Sequence, residues 1–243
     1  MKLEVENLSF GYGEKTIFRG LSFGVEGGEF VSVLGPSGCG KSTLLNLLAG
    51  ILAPEGGCIR VDGRPIAGMS AHFAYMPQND LLFPWKTIMQ NVCLHGSLHG
   101  AERIARERAR ALFPLFGLSG YEDAYPDDLS GGMRQRAAFL RTALCDADIL
   151  LLDEPFGALD VITRGDMQDW LALMRHHLGR TCLLVTHDID EAVYLSDRVL
   201  VMGGRPAVLC GEYRVPETDR TRDWLYGQGE LRRALQTRIR GEA

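Results

Sequence analysis

The residues with the clearest chemical potential are the nine of "GPSGCGKST": Gly35, Pro36, Ser37, Gly38, Cys39, Gly40, Lys41, Ser42 and Thr43. They fit the spacing G-x-x-x-x-G-K-[ST], follow the apolar run "FVSVL" and open the helix-patterned "KSTLLNLLAGI". In a strand–loop–helix order of this kind the glycines let backbone N–H groups wrap a polyphosphate, because they carry no Cβ to block it. The helix start adds unpaired donors and partial positive charge. Lys41, one of four lysines in the chain, is placed to reach β- and γ-phosphates, and the Ser42 hydroxyl to ligate Mg²⁺.

A second stretch, "ILLLDEP", ends an apolar strand on Asp153 and Glu154, where open α/β sheets bind ligands. Asp153 is suited to holding Mg²⁺, directly or through water, and Glu154 to polarising an attacking water as a general base. Alone, a D-E pair after a strand is more often a turn or a helix start; beside a phosphate loop it gains weight. "LSGGM" (129–133) is a second anion-binding helix start, with Ser130 as the N-cap and Gly131 and Gly132 behind it. One nucleotide does not need two such sites from one chain.

The elements that must position these groups follow from hydrophobic periodicity. "LEVENLSFGY" alternates as a half-buried strand does, and "LSFGVEGGEFVSVLG" reads as two more strands split at Gly27-Gly28. "CIRVDG", "DILLLDEP", "TCLLVTHD" and a pair in "DRVLVMGGRPAVLCGEY" supply the rest. Continuous apolar strands alternating with helices such as "DMQDWLALMRHHLG" predict an α/β core with a mostly parallel sheet covered on both faces. From 87 to about 145 the pattern turns helical, in "ERIARERARALFPLFGL" and "GMRQRAAFLRTALC". The expected organisation is one domain over 1–243: a core with an N-terminal antiparallel β part (1–86 and 146–215), an inserted α-helical subdomain (about 87–145) and an Arg-rich helical tail (216–243), with Trp224 and Leu225 tucked onto the core.

Taken together the motifs closely resemble the ATP-binding subunit of ABC transporters over nearly the whole chain, which implies a P-loop NTPase (RecA-like) core and ATP with Mg²⁺ as cofactors. In that family two subunits sandwich two ATP molecules, so Ser130, Gly131 and Gly132 would touch the γ-phosphate bound by a second copy. By the same resemblance Tyr12 stacks on adenine and Gln78, in "MPQND", contacts Mg²⁺ and the attacking water. "GALD", with Asp160, is the loop through which the subunits communicate, and His187, in "VTHDIDEA", is the switch histidine beside the γ-phosphate. A lone strand-end tyrosine or histidine would otherwise be structural. Two positions depart from the pattern: Met133 stands where many relatives have Gln, and Gly157 where Ser is common. Neither supplies chemistry, so Lys41, Gln78, Glu154 and His187 are expected to make a competent ATPase.

The stretch "LLFPW" (81–85) places a proline and two aromatics in what reads as a surface loop. In the resembled family the segment after the glutamine lines a groove for a helix of the membrane subunit, so Leu82, Phe83, Pro84 and Trp85 are expected to meet that partner. The alternative is that Trp85 packs within its own subunit. The "PW" and "LSGGMRQR" segments most resemble importers of nitrate, sulfonates, taurine and thiamine-precursor pyrimidines. The partners implied are a second copy, integral permease subunits and, indirectly, an extracytoplasmic solute-binding protein, with this chain peripheral on the cytoplasmic face of the membrane. The rivals are an exporter's ATPase subunit and a soluble ABC ATPase acting on DNA or ribosomes. A kinase or GTPase would lack both "LSGG" and His187.

Bulk properties agree. A net charge of −5 gives no footprint for nucleic acid. The six scattered cysteines form no C-x-x-C pair, as expected of reduced thiols. The start has no apolar signal segment and no run is long enough to span a bilayer. The chain ends soon after the core, so the C-terminal regulatory domain of sugar-type relatives is expected to be absent.

Overall fold

A computed structural model describes residues 1–216 and 220–241, the side chains at 176 and 178 aside. In chain order the elements are β1 (Leu3–Tyr12), β2 (Lys15–Val25), β3 (Phe30–Leu34), α1 (Lys41–Leu48), β4 (Gly56–Val61), β5 (Arg64–Pro65) and β6 (Phe73–Met76). The helical stretch follows, with α2 (Ile88–Val92), α3 (Leu94–Leu98), α4 (Glu102–Leu112), a 3₁₀ turn (Pro126–Asp128) and α5 (Gly131–Ala143). Then come β7 (Ile149–Asp153), α6 (Val161–Leu178), β8 (Thr181–Thr186), α7 (Ile189–Leu195), β9 (Arg198–Gly203), β10 (Val208–Arg214), α8 (Arg222–Gly227) and α9 (Gly229–Arg240).

Two sheets form. The N-terminal one is antiparallel, in the order β2-β1-β4-β5; the larger runs β10-β9-β3-β8-β7-β6 and is parallel except at β10. Strands β3, β7, β8 and β9 are buried at every residue, as continuous apolar runs require when both faces are covered. Their period of two divides the core. Val31, Val33, Leu151 and Val185 face α1 and the antiparallel sheet, whereas Phe30, Leu34, Leu152 and Leu184 face the helices. Because β3, β8 and β7 are neighbours, the loops after all three open at one edge.

The helical stretch shares that second core with the sheet: Phe116 and Phe139 pack against Trp170 of α6, with ring centroids 5.0 and 5.4 Å away. The Trp170 indole N–H donates to the Leu115 carbonyl at 3.2 Å, so the ring is anchored at both ends. Sequence periodicity alone carried "ERIARERARALFPLFGL" on as one helix. The structure ends α4 at Leu112, because Pro114 has no N–H to continue the ladder. Strand β6 was not recognised, since four residues are too few for a pattern to register. In the tail, Leu225 is buried and Trp224 packs partly against the core; residues 217–219 and 242–243 of that segment lie outside the described residues.

Truncating Phe139 to Ala removes the ring on which this junction turns. The expected cost is about 3–5 kcal/mol, read as a shift of the denaturant midpoint. A loss under 1 kcal/mol would show that the site collapses around the cavity.

Candidate functional site

The phosphate loop is pressed between two strands. A Cβ at Gly35 would lie 2.4 Å from the Met202 carbonyl oxygen, and one at Gly40, whose φ is 105°, would lie 2.7 Å from Ile17 Cγ2. Gly38 has a φ of 76° and open space where its Cβ would be. The loop is therefore fixed at its ends and free of side chains at its crest, as a cradle of backbone donors needs. Lys41 is buried at the start of α1. Its Nζ donates to the carbonyls of Gly35 at 3.0 Å and Pro36 at 3.1 Å, and lies 3.6 Å from Glu154 Oε1.

The two carboxylates at the end of β7 take different environments. Asp153 is buried, which raises its pKa, while hydrogen bonds from Ser42 Oγ to Oδ1 and from the Tyr75 hydroxyl to Oδ2, each 3.0 Å, pull the other way. Burial also pushes the Tyr75 phenol up, which keeps it a donor. A serine hydroxyl beside a carboxylate is a hard oxygen donor set that fits Mg²⁺. Glu154 turns away with a φ of 42°, a left-handed conformation that costs a non-glycine residue about 1–2 kcal/mol. Its N–H donates to the Val185 carbonyl at 2.9 Å, and its Oε2 lies 3.0 Å from His187 Nδ1. Glu154 thus stands between an ammonium and an imidazole.

Gln78 is exposed, but a Cβ at Gly157 would be 3.3 Å from its Nε2 and 3.4 Å from the Glu154 carbonyl oxygen. A side chain at Gly157 would fit closely between these groups, with Gln78 yielding by a few tenths of an ångström. Ser130 caps α5, its Oγ accepting from Met133 N–H at 3.3 Å, and Gly132 is packed on Thr163. Asp160 caps α6 by accepting from the N–H groups of Ile162 and Thr163, each at 3.1 Å. Tyr12 stands half exposed at the end of β1, edge-on to Phe10. Lys41, Ser42, Asp153, Glu154 and His187 are therefore joined by direct contacts, whereas Ser130 and Asp160 are joined to their own helices.

A description of the family named ABC transporter matches residues 18–157, more than half of the chain. The chain belongs to that family. It is 44% identical over 82% of its length to an aliphatic sulfonates import ATP-binding protein of Agrobacterium fabrum, covering 75% of that protein. It is also 44% identical, over 88% of its length, to a formylaminopyrimidine import ATP-binding protein of Halalkalibacterium halodurans, covering 84% of it. Among solved structures it superposes with a TM-score of 0.73 on the ATP-binding cassette MJ0796, a dimer in a post-hydrolysis state bound to ADP and Pi. That match has 26% identity and covers 89% of this chain and 100% of that one. The expected fold and ATP hydrolase activity are those of an ABC cassette.

One expectation needs correcting. Leu82, grouped with the residues awaiting a partner, is only 8% exposed and belongs to the core of its own subunit. Leu81, Pro84 and Trp85 are the exposed ones, Trp85 at 70%. The loop beneath them is firmly held: buried Asn91 accepts from Phe83 N–H and donates to the carbonyls of Phe83, Lys86 and Thr87.

Two residues escaped the sequence reading, Tyr75 and Glu191. Glu191 is buried on α7, where its Oε2 accepts from Thr186 Oγ1 at 2.5 Å and its Oε1 from Gln168 Nε2 at 3.1 Å. Only its place in the otherwise apolar run "EAVYL" hinted at a role. Burial pushes its carboxyl up to about 7. The folded chain then holds this proton more tightly than the unfolded chain does. Stability is highest below the ordinary glutamate range and declines as pH climbs towards 7, by about 3 kcal/mol in total. Glu191→Gln removes that dependence, so thermal melts should show the variant gaining on the parent between pH 5 and pH 8. A constant difference would mean that Glu191 titrates alike in both states.

Proposed function

We propose that the chain powers import of a small solute, working as a homodimer on the cytoplasmic face of the membrane beneath integral permease subunits. The observation that carries the chemistry is Glu154 held between Lys41 and His187 at the open edge of the sheet. Import is favoured over export by the names of the relatives, which are import proteins for a sulfonate and a pyrimidine. The solute class is accordingly an organic or inorganic anion such as a sulfonate, taurine or nitrate, or a pyrimidine precursor, delivered by an extracytoplasmic binding protein. Among the described residues no helix is long and apolar enough to cross a membrane, which suits a subunit that docks on a permease.

In the reaction we infer, the glycine-loop N–H groups hold the polyphosphate and Lys41 exchanges its carbonyl partners for β- and γ-phosphate oxygens. Ser42 and Asp153, helped by Gln78, would hold Mg²⁺, which would supply charge neutralisation to the polyphosphate. Glu154 accepts a proton from the attacking water as its oxygen bonds to the γ-phosphorus and the bridging P–O bond breaks, releasing ADP and phosphate. His187 keeps Glu154 aimed while its own ring faces the γ-phosphate. Tyr12 stacks on adenine, and Ser130, Gly131 and Gly132 of the second copy close the site, with Asp160 of the 157–160 loop at the junction.

Glu154→Gln tests the chemistry. Turnover should fall by about 10²–10⁴-fold while ATP still binds and the dimer persists on size exclusion. Normal phosphate release would remove Glu154 from this role.

The partner surface is tested separately. Leu81, Pro84 and Trp85 are exposed on a loop pinned from below, with the Phe83 ring 5.2 Å from Trp85 supporting it. An apolar anchor presented this rigidly suits a helix of the permease. Trp85→Ala should leave melting and basal ATPase within error, and weaken co-purification with the permease by about 2 kcal/mol. Unfolding of the variant would show instead that Trp85 serves its own core.

A further inference from the structure

The tail grips the helix that follows His187 at two places. Arg222, on α8, reaches across to α6, where Nε donates to Asp169 at 2.8 Å, Nη1 to Gln168 Oε1 at 3.0 Å and Nη2 to the Gly165 carbonyl at 2.7 Å. The face of the same guanidinium lies 4.6 Å from the Tyr194 ring of α7. Arg232, on α9, makes a forked pair with Asp190, at 2.6 and 2.9 Å.

Both grips lead to the switch histidine. Gln168, its oxygen fixed by Arg222, turns its Nε2 to Glu191, and Glu191 accepts from Thr186 Oγ1. That hydroxyl in turn accepts from Asp188 N–H at 3.0 Å, and the Asp188 carboxylate accepts from Asp190 and Glu191 N–H groups. Residues 186 and 188 are thus clamped on either side of His187, whose exposed ring meets Glu154.

We propose that the C-terminal segment is a working part of the hydrolytic site, with Arg222 the positioning residue that holds His187 against Glu154 through Gln168, Glu191 and Thr186. Arginine suits the task because its rigid planar guanidinium spreads donors over three nitrogens and so reaches Asp169, Gln168 and Gly165 together while its face lies on Tyr194, a geometry that the single nitrogen of lysine does not reproduce. This rests on the roles given to Glu154 and His187 above.

The test compares steady-state ATP hydrolysis by the full chain with that of Arg222→Ala, Arg222→Lys and Gln168→Met. In Arg222→Ala kcat should fall about 10- to 100-fold with KM for ATP within about twofold, since the phosphate loop is untouched. Arg222→Lys should fall between that and the parent. The double variant Arg222→Ala/Gln168→Met should be no slower than its slower single, because both lie on one route. A merely structural role would lower melting temperature and the ATP-binding fraction yet leave kcat per binding-competent molecule unchanged, and that result overturns the proposal. Should Arg222→Ala fail to fold, Arg222→Lys and Gln168→Met decide by the same criterion. Glu154→Gln, assayed alongside, separates the two claims: active Glu154→Gln sinks the site reading, whereas an inactive one with unaffected Arg222 variants sinks only the tail.

Discussion

A buried ammonium is the constraint around which the site is built. Lys41 sits almost wholly out of water, and an isolated charge there would cost several kcal/mol. Two loop carbonyls and the Glu154 carboxylate meet that demand. The requirement is demanding because the carboxylate among these partners comes from a distant part of the chain, whereas the two carbonyls belong to the loop that Lys41 itself ends. It is met only if α1 starts, and β7 ends, at the same edge of the sheet. The strand order β3-β8-β7 does this, and it brings the end of β8, with His187, to the same place. Ligand sites in open α/β sheets lie at such carboxyl ends for the same topological reason.

The left-handed turn at Glu154 follows from that geometry. Asp153, still on the strand, points into the protein towards Ser42 and Tyr75, and the next residue must present its carboxylate to Lys41 and His187 instead. A regular strand would send the second side chain to the opposite face. The positive φ re-aims it, and the Glu154 N–H bond to Val185 together with the Gly157 N–H bond to Glu154 holds the turn in place. Local strain of this kind persists where the surrounding structure over-determines it.

Much of this was legible in the sequence, and the residues explain which parts. The phosphate loop, the D-E pair and the apolar strands are local signals, carried by spacing within a few residues. Tyr75 and Glu191 were not legible because their importance lies in contacts made across 78 and 23 positions, to Asp153 and Gln168. Leu82 was misplaced for a subtler reason. Leu81 and Leu82 are identical in kind, and only the left-handed φ of 44° at Leu81 decides which of them enters the core. Composition cannot distinguish two adjacent leucines; a backbone turn can.

One helix, α5, ties together regions that the sequence presents separately. At its start Ser130 caps the helix. In its middle Gln135 donates to the Pro155 carbonyl, one residue past Glu154. Near its end Arg141 donates to the carbonyls of Asp80 and Leu81, at the root of the exposed loop that bears Trp85. Each of these is a hydrogen bond to backbone, so each fixes the position of a segment rather than of a single side chain. A shift of α5 along its axis therefore cannot leave the Trp85 loop and the segment after Glu154 both in place. Phe139, on the same helix, adds a packed aromatic contact to Trp170 of α6, and α6 begins at Asp160. The hydrogen-bonded and packed unit that results spans from the surface loop to the edge of the sheet where β3, β7 and β8 end, so the two are linked through one continuous set of contacts.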